Sequence, residues 1–471
     1  MRKLNWGIIG LGNVAQKFLE GFHGVENSNL LAIASKSETK ALKFKNQFQI
    51  NEEFVFNKYE DLLNCKDIDI IYISLPNSYH YEWILKSIEK NKKVLVEKPA
   101  TLNFEEAQKL SEIIKKKNIF FNEGFMYRHD TQIKKVIELI KNNEIGVVQT
   151  RWDHINRDYS TLTKIQAFAL DAHFTLEQVG RNTKGHFINF NGTAGVWRKE
   201  CILDAGNWEG DTLTEDLDLS YRAQLKKWKF KYLEHVKTPA ELPVIISAAR
   251  SQQFRWNKGG AENFQKMTKR VLLDKDISLK TKIHSVLHLL NSSMFLMVLI
   301  VAILSIPMLY IKNEYPHLKS YFYMISFFIV SSIIFFICYW YMFKKSYGGG
   351  IKNFLKYTGT FFTFFSIALG FSFHNSIAVL EGHFGKKSDF IRTPKFNIKT
   401  LKDTWKKNKY IHNKISINTI IEGILTLYFA FGMYSAFAVG NQGGDFGLFP
   451  FHLMLFLGFG YVFWNSIFSR A

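Results

Sequence analysis

Three short stretches of this sequence hold side chains whose types and spacing can do chemistry together. Thr214-Glu215-Asp216 stands directly before a helical stretch, which puts a carboxylate at the positive end of a helix, where it also accepts a hydroxyl proton. Gln252-Gln253-Phe254-Arg255-Trp256 supplies a planar, permanently charged guanidinium suited to a diphosphate, and an indole face on which a sugar ring stacks. Gly10-Leu11-Gly12-Asn13-Val14-Ala15 follows an apolar strand and opens a helix in the pattern G-x-G-x-x-A. The first glycine makes the tight turn and the second lets the backbone approach a pyrophosphate. After the second strand, where an acidic residue would hold a ribose 2′-hydroxyl, Ser35, Lys36 and Ser37 stand instead, which favours the 2′-phosphate of NADP over NAD.

The elements that must position these groups are legible as changes of period. From residue 1 to about 141, apolar runs at Trp6–Ile9, Leu30–Ala34, Ile68–Ser74, Lys93–Val96 and Ile119–Phe121 alternate with amphipathic helical stretches, the pattern of a parallel α/β sheet. Further signals fall at strand ends, where an open sheet binds its ligand: Leu75-Pro76-Asn77 with His80, and Glu97-Lys98-Pro99. A second mixed α/β domain follows, with a helix expected over Leu217–Lys227. Five apolar stretches come after it, at about 287–311, 321–343, 358–380, 417–439 and 448–468, each long enough to cross a hydrocarbon core of roughly 30 Å.

Composition agrees with two kinds of solvent: 47% of the 471 residues are apolar and 16% aromatic, yet 22% are charged. That length excludes a single small binding module. Residues 1–146 carry 22 basic and 19 acidic side chains, so +17 of the formal charge of +20 belongs to the rest of the chain. Such basicity favours phosphates, anionic lipid heads or nucleotide-linked substrates, and no nucleic-acid partner is expected. Cys65, Cys201 and Cys338, far apart and odd in number, exclude a disulfide scaffold and give no zinc spacing. The N-terminal apolar stretch runs straight into Gly10 and Gly12 and reads as a first strand, so nothing is expected to export this part.

With the glycine turn, the proline-asparagine turn and the E-K-P triplet in order, residues 1 to about 146 resemble the Gfo/Idh/MocA oxidoreductases, NAD(P)-dependent enzymes acting mainly on sugars and cyclitols. The resemblance includes Glu123-Gly124-Phe125-Met126-Tyr127-Arg128. It implies a Rossmann-type domain with Gly10, Gly12, Asn13, Val14, Ala15, Ser35, Lys36, Pro76, Asn77, Glu97 and Lys98 at the cofactor, and Lys98 also at the substrate hydroxyl, where a lysine stabilises an alkoxide or relays a proton. The family's second domain does not follow. From Val147-Val148-Gln149-Thr150-Arg151-Trp152 onward, through His154 to Asn156 and Phe190-Asn191-Gly192-Thr193-Ala194-Gly195, the chain resembles the cellulose-synthase-like, glucomannan-synthase-like members of glycosyltransferase family 2. This implies a partial GT-A-like domain over 147–280 and a transmembrane region over 281–471. Asp216 is then the general base that activates the acceptor sugar, with Glu215, Gln252, Arg255 and Trp256 at the substrates.

The donor half of that family, with its D-x-D site for Mg²⁺, has its place taken by the first domain. Asp67-Ile68-Asp69 opens a strand and Asp216-Leu217-Asp218 sits in the base helix, so neither suits the metal. The chain reads as the front of one enzyme joined at Ile145-Gly146 to the back of another, an accidental fusion rather than an evolved bifunctional protein. The expectation is a membrane glycosyltransferase by descent, using a nucleotide sugar and a polysaccharide acceptor, and inactive alone. The alternatives are a sugar oxidoreductase without its substrate domain and a membrane-tethered NADP-binding module.

Charge sets the orientation. Residues 344–356 carry Lys344, Lys345, Lys352 and Lys356, and 380–414 carry ten basic against three acidic side chains, which puts both segments and the soluble domains on the cytoplasmic side of an inner or plasma membrane. With both its flanks inside, and with polar His374 and Asn375, 358–380 is expected to be an interfacial or re-entrant element beside four spanning helices, the plain alternative being five spans with one basic loop outside. A cysteine introduced at Lys402 should therefore react with a membrane-impermeant thiol reagent only from the cytoplasmic face. Labelling only from outside would contradict the re-entrant arrangement.

Overall fold

The computed structural model describes residues 3–468 apart from 126–133, 135, 136, 140, 142, 328, 399, 406–415 and 440–442. The expected Met126-Tyr127-Arg128 motif lies outside the described residues. Packing divides the chain into two compact units, Met1–Lys135 and Val136–Ala471.

The first unit is a six-stranded parallel sheet: β1 (Leu4–Ile9), β2 (Ser28–Ala34), β3 (Val55–Phe56), β4 (Ile70–Ile73), β5 (Lys93–Val96) and β6 (Phe121–Glu123), in the order β3-β2-β1-β4-β5-β6. Strand alternation sends Ile8 to one face, with Leu11, Ala15, Leu19 and Phe44, and Ile9 to the other, with Ile71, Ile73, Trp83 and Val94, so both faces are covered. Two strand readings need correction. β3 was not expected, because two residues are too short to show a period. β6 begins two residues later than expected: Asn118, in the left-handed region at φ +48°, ends the Phe104–Lys117 helix, and the Ile119 N–H returns to the Ile114 carbonyl.

The second unit begins with a three-stranded sheet. β7 (Ile145–His154) runs between β8 (Gly195–Trp197), antiparallel, and β9 (Lys229–Ala240), parallel. Ile145 and Gly146 already belong to β7, and a Cβ on Gly146 would reach 2.5 Å from Cys201 Sγ and 3.1 Å from Trp228 Cβ. The helix expected over Leu217–Lys227 covers Glu215–Leu225, so Asp216 stands inside its first turn rather than before it. Lys226 and Lys227 lie beyond its end, Lys227 at φ +70°.

Behind this sheet, four helices among the described residues are long and apolar enough to cross a membrane: Leu279–Glu314, Pro316–Tyr347, Ile417–Ala438 and Phe449–Phe468. The stretch expected as a re-entrant element is a pair of helices, Ile351–Gly370 and Ser372–His383, bent by 51° at Phe371. Buried Phe168 and Ala172 of the Thr161–Ala172 helix pack with Met342, Phe343, Tyr357 and Phe361, which ties the sheet domain to the apolar helices.

Glycine sets the closest helix crossing. Gly370 lies against the Gly458 backbone and Gly458 against Ser366 and Gly370, so a Cβ at either position would run into the facing main chain. Gly458→Ala should lower the thermal midpoint in detergent, at a cost of about 2 kcal/mol for overpacking. Gly460→Ala, where the nearest neighbour is Thr426 at 3.5 Å, should leave it unchanged. Equal midpoints for the two variants would show that this crossing is loose.

Candidate functional site

Two constellations emerge, one in each unit. In the first unit the strand order reverses between β1 and β4, and the carboxyl ends of the strands bring the predicted residues to one edge. Gly10, at φ +90°, leaves no room for a side chain: a Cβ would sit 2.9 Å from the Ser74 carbonyl oxygen. Its own carbonyl accepts the Ser74 hydroxyl at 2.6 Å. Gly12 is exposed, and a Cβ on it would meet nothing within 4 Å, so the space over the N-terminus of the Asn13–Glu20 helix is open. That turn (Asn13, Val14, Ala15, Gln16) carries no acidic residue, Asn13 and Val14 are exposed, and Ala15 is buried where the helix meets the sheet.

The remaining residues separate into inward and outward groups. Ser35 is buried and its hydroxyl accepts the Ser37 N–H at 3.1 Å, whereas Lys36 is exposed with its ammonium 5.8 Å from the centroid of the Tyr59 ring. Pro76, Asn77 and Lys98 are exposed. The Glu97 carboxylate turns inward and accepts the Tyr72 hydroxyl at 2.6 Å. His80 is fully buried, 2.7 Å from the Leu75 carbonyl through Nε2 and 2.7 Å from the Pro99 carbonyl through Nδ1, so one imidazole joins the proline-asparagine turn to the E-K-P loop. Glu123, which the sequence reading quoted without a role, accepts the Ala100 N–H at 2.8 Å and fixes the other side of that loop. No sequence signal marked these two as supports.

In the second unit the long Ile246–Leu273 helix crosses the Thr214–Asp216 turn at Gly259, whose missing side chain is what lets Thr214 approach. Asn263, fully buried, donates to the Thr214 carbonyl at 3.2 Å and to its hydroxyl at 3.1 Å. Asp216 Oδ1 accepts the Leu217 N–H at 2.9 Å, and a Cβ on Gly192 would lie 3.4 Å from its other oxygen, so the Phe190–Gly195 loop reaches the carboxylate. Burial and the neighbouring charge of Glu215 push the Asp216 carboxyl up to about 7, against the opposing pull of the Leu217 N–H and the Arg255 charge. A carboxylate so poised is a base near neutral pH.

Arg255 lies close enough for its charge to act on the Asp216 carboxyl, and Trp256 is the next residue of the same helix. Arg255 donates to Thr393 Oγ1 at 2.8 Å and lies 4.6 Å from the centroid of the Phe390 ring. Trp256 and Trp152 have ring centroids 6.3 Å apart, and the Trp152 indole N–H points to the Thr193 carbonyl at 3.5 Å. Glu215 and Gln252 are half-buried. The next residue, Gln253, accepts from Asn375 at 2.8 Å and so belongs to the packing with the bent pair.

Among the described residues, one group of three carboxylates lies close enough to hold a metal ion: Glu209, Asp211 and Asp218. Lys266 fills it, its ammonium 2.6, 2.8 and 3.0 Å from those three, and Arg222 pairs with Asp218 at 2.7 Å. Asp218 is thus committed to cations of the chain itself, and this group does not fit Mg²⁺.

With this geometry in place, comparison with known proteins assigns two families to the chain, one toward each end, whose matches overlap at 115–125. Residues 4–125 match the family model described as oxidoreductase family, NAD-binding Rossmann fold, and residues 115–259 match that of glycosyltransferase like family 2. The chain carries a Gfo/Idh/MocA-type Rossmann domain at its N-terminus and a family 2 glycosyltransferase-like domain in its C-terminal part. It is 40% identical over 185 residues to the probable glucomannan 4-beta-mannosyltransferase 4 of Oryza sativa subsp. japonica, covering 39% of this chain and 33% of that protein. It is 42% identical over 165 residues to glucomannan 4-beta-mannosyltransferase 9 of Arabidopsis thaliana, covering 35% and 31%. The chain spans about a third of the length of these relatives. Among solved structures, KijD10, a 3-ketoreductase from Actinomadura kijaniata, is 26% identical over 32% of this chain and 47% of that one, with a TM-score of 0.29.

The raised Asp216 carboxyl has a thermodynamic signature. Its ordinary value is 3.8 and the folded value about 7, so between these the folded state binds more protons than the unfolded chain and loses stability as pH rises. Asp216→Asn should therefore gain thermal midpoint over the parent progressively from pH 4 to pH 7, with the gap constant above. A gap independent of pH would show that Asp216 is ordinarily ionised.

Proposed function

We propose that the second unit is the acceptor side of an inverting, membrane-embedded glycosyltransferase that adds a hexose from a nucleotide sugar to a β-linked polysaccharide. The observation that carries this reading is the crossing at Gly259, which brings the helix of Arg255 and Trp256 against the turn of Asp216, with the Arg255 charge acting on the carboxylate. In the proposed step Asp216 takes the proton of an acceptor hydroxyl, its oxygen attacks the anomeric carbon, and the nucleotide diphosphate leaves toward Arg255 while the sugar ring rests on Trp256. Likeness to mannosyltransferases supports a hexose donor and a β-linked acceptor. The apolar helices support a multi-pass placement in an inner or plasma membrane, with the soluble units cytoplasmic.

The first unit takes NADP in this reading. The open space over Gly12, the tight turn at Gly10 and the exposed Lys36 fit a pyrophosphate and a 2′-phosphate, and the matching family model is that of an NAD-binding Rossmann fold. Lys98, exposed just after β5, is assigned to the nicotinamide and a substrate hydroxyl in this reading, yet the family's substrate domain does not follow, so no oxidoreductase turnover is proposed. The nucleotide supplies hydride chemistry when bound. Gly10 and Gly12 hold the backbone clear of its phosphates, and Lys36 offers charge to the ribose end.

The chain as it stands should not transfer sugar. Positioning of the donor and stabilisation of the leaving diphosphate each contribute several kcal/mol in enzymes generally, and the region that would supply them is replaced by the first unit. Membranes containing the chain, given Mg²⁺ and UDP- or GDP-hexoses, should form no polymer. Replacing residues 1–146 with the donor half of a complete relative should restore synthesis, and Asp216→Asn in that chimera should abolish it. Polymer from the unmodified chain would overturn the account of the join. Titrating the full chain with both nucleotides should show tighter binding of NADP than NAD, with the preference lost in Lys36→Glu. Equal affinities in the parent would refute the cofactor assignment.

A further inference from the structure

One open cleft on the second unit is not used by the acceptor turn. It has a volume of about 330 Å³ and lies where the start of the Thr161–Ala172 helix meets the first half of the bent pair, lined by Lys164, Ile165, Leu355, Lys356, Gly359 and Thr363 among others. Two features of this lining point to a ligand of one kind.

The first is uncompensated charge. Lys164 and Lys356 face the same cleft and neither ammonium has a carboxylate partner among the described residues; Lys356 lies over the Tyr347 ring at 5.5 Å. No acidic residue occurs in 351–363 or 161–165, so nothing on either lining stretch neutralises them. Lys352, exposed, stands one turn before Lys356 on the same helix face.

The second is a graded wall. Beyond Lys356 the helix offers Gly359, where a Cβ would meet nothing within 4 Å, then Thr363, and beside them Leu355 remains 64% exposed. The threonine hydroxyls at 360 and 363 are satisfied within the helix by the Lys356 and Gly359 carbonyls, so this wall presents little polarity. The cleft is therefore cationic at one end and apolar along its length. The aromatic and basic residues Trp340, Tyr341, Lys344, Lys345 and Tyr347 end the neighbouring helix at the same level, as tyrosine, tryptophan and lysine do where a helix leaves a membrane.

We infer that this cleft binds an anionic phospholipid, its phosphate held between Lys164 and Lys356 and one acyl chain lying along Gly359 against Leu355. The shape and the charge grading match a molecule that is a phosphate at one end and a hydrocarbon at the other; a free phosphate would use only the two lysines. The site rests on the membrane placement proposed above. Lipid held here would fasten the first half of the bent pair to the Thr161–Ala172 helix, which packs against the sheet domain.

The test uses the full chain in nanodiscs of phosphatidylcholine, titrated with phosphatidylglycerol, with bound lipid counted by native mass spectrometry and inorganic phosphate as a competitor. Phosphatidylglycerol should be retained selectively, and selectivity should fall about fivefold for Lys164→Gln or Lys356→Gln and roughly 25-fold for the pair, from about 1 kcal/mol per lysine at an anionic surface. Gly359→Leu, which keeps the charge and fills the groove, should also reduce retention, and millimolar phosphate should not displace the lipid. Lys344→Gln, outside the cleft, should change nothing. Equal retention of the two lipids, or no effect of the paired lysine change in a chain that still elutes as a folded particle, would overturn the site. Displacement by phosphate at equal concentration would assign the lysines to a soluble anion instead and overturn the lipid. A chain that does not enter nanodiscs at all would refute the membrane placement along with it.

Discussion

The contact on which the second unit depends is the passage of the Ile246–Leu273 helix across Thr214 at Gly259. Any side chain at 259 would push this helix away from the turn that carries Asp216, and the Asn263 hydrogen bonds to Thr214 would be lost with it. Because the same helix carries Gln252, Arg255 and Trp256, one close approach fixes the carboxylate, the guanidinium and the indole together. Its other contacts run into the apolar helices. Lys258, fully buried, pairs with Glu381 at 3.1 Å, Gln253 meets Asn375, and Arg250 pairs with Glu422. The Thr214–Asp216 turn and the apolar bundle are thereby one packed body, and charge buried without a partner on this helix would be costly.

Two carboxylates two residues apart show how environment divides roles. Asp218 points into the Lys266 and Arg222 pair and serves the structure. Asp216, on the first turn of the same helix, is held protonated to near neutrality by burial and by the neighbouring charge of Glu215, and has no ion pair among the described residues. Only the second arrangement leaves an oxygen available for an acceptor hydroxyl. The letters D-x-D at 216–218 thus hide two opposed environments, and helix geometry, which turns positions two apart to different faces, separates them.

What could be read from the sequence was what repeats or what has a fixed spacing. The glycine turn at Gly10 and Gly12, the strands β1, β2, β4 and β5, the Q-x-x-R-W stretch and the apolar segments all announce themselves by period or motif, and the structure places them in register. What could not be read depends on partners far along the chain. Lys266 filling a cluster built from Glu209, Asp211 and Asp218, His80 linking two loops, and Thr393 and Phe390 holding Arg255 each join residues more than ten positions apart in the chain, where no local pattern marks the contact. β3 was missed for the opposite reason, since two residues carry too little pattern. The bend at Phe371 was foreshadowed by His374 and Asn375, whose polarity conflicts with a lipid-facing position.

The central claim is that Asp216, Arg255 and Trp256 form one acceptor pocket set by the Gly259 crossing. Calorimetric titration of the detergent-purified full chain with a short β-1,4-linked mannan oligosaccharide tests it most directly, because acceptor binding needs no donor half. Binding should be saturable, should weaken at least tenfold in Trp256→Ala, and should disappear in Gly259→Val while the protein remains folded by circular dichroism. Unchanged affinity in Gly259→Val, or no binding by the parent chain, would contradict the account.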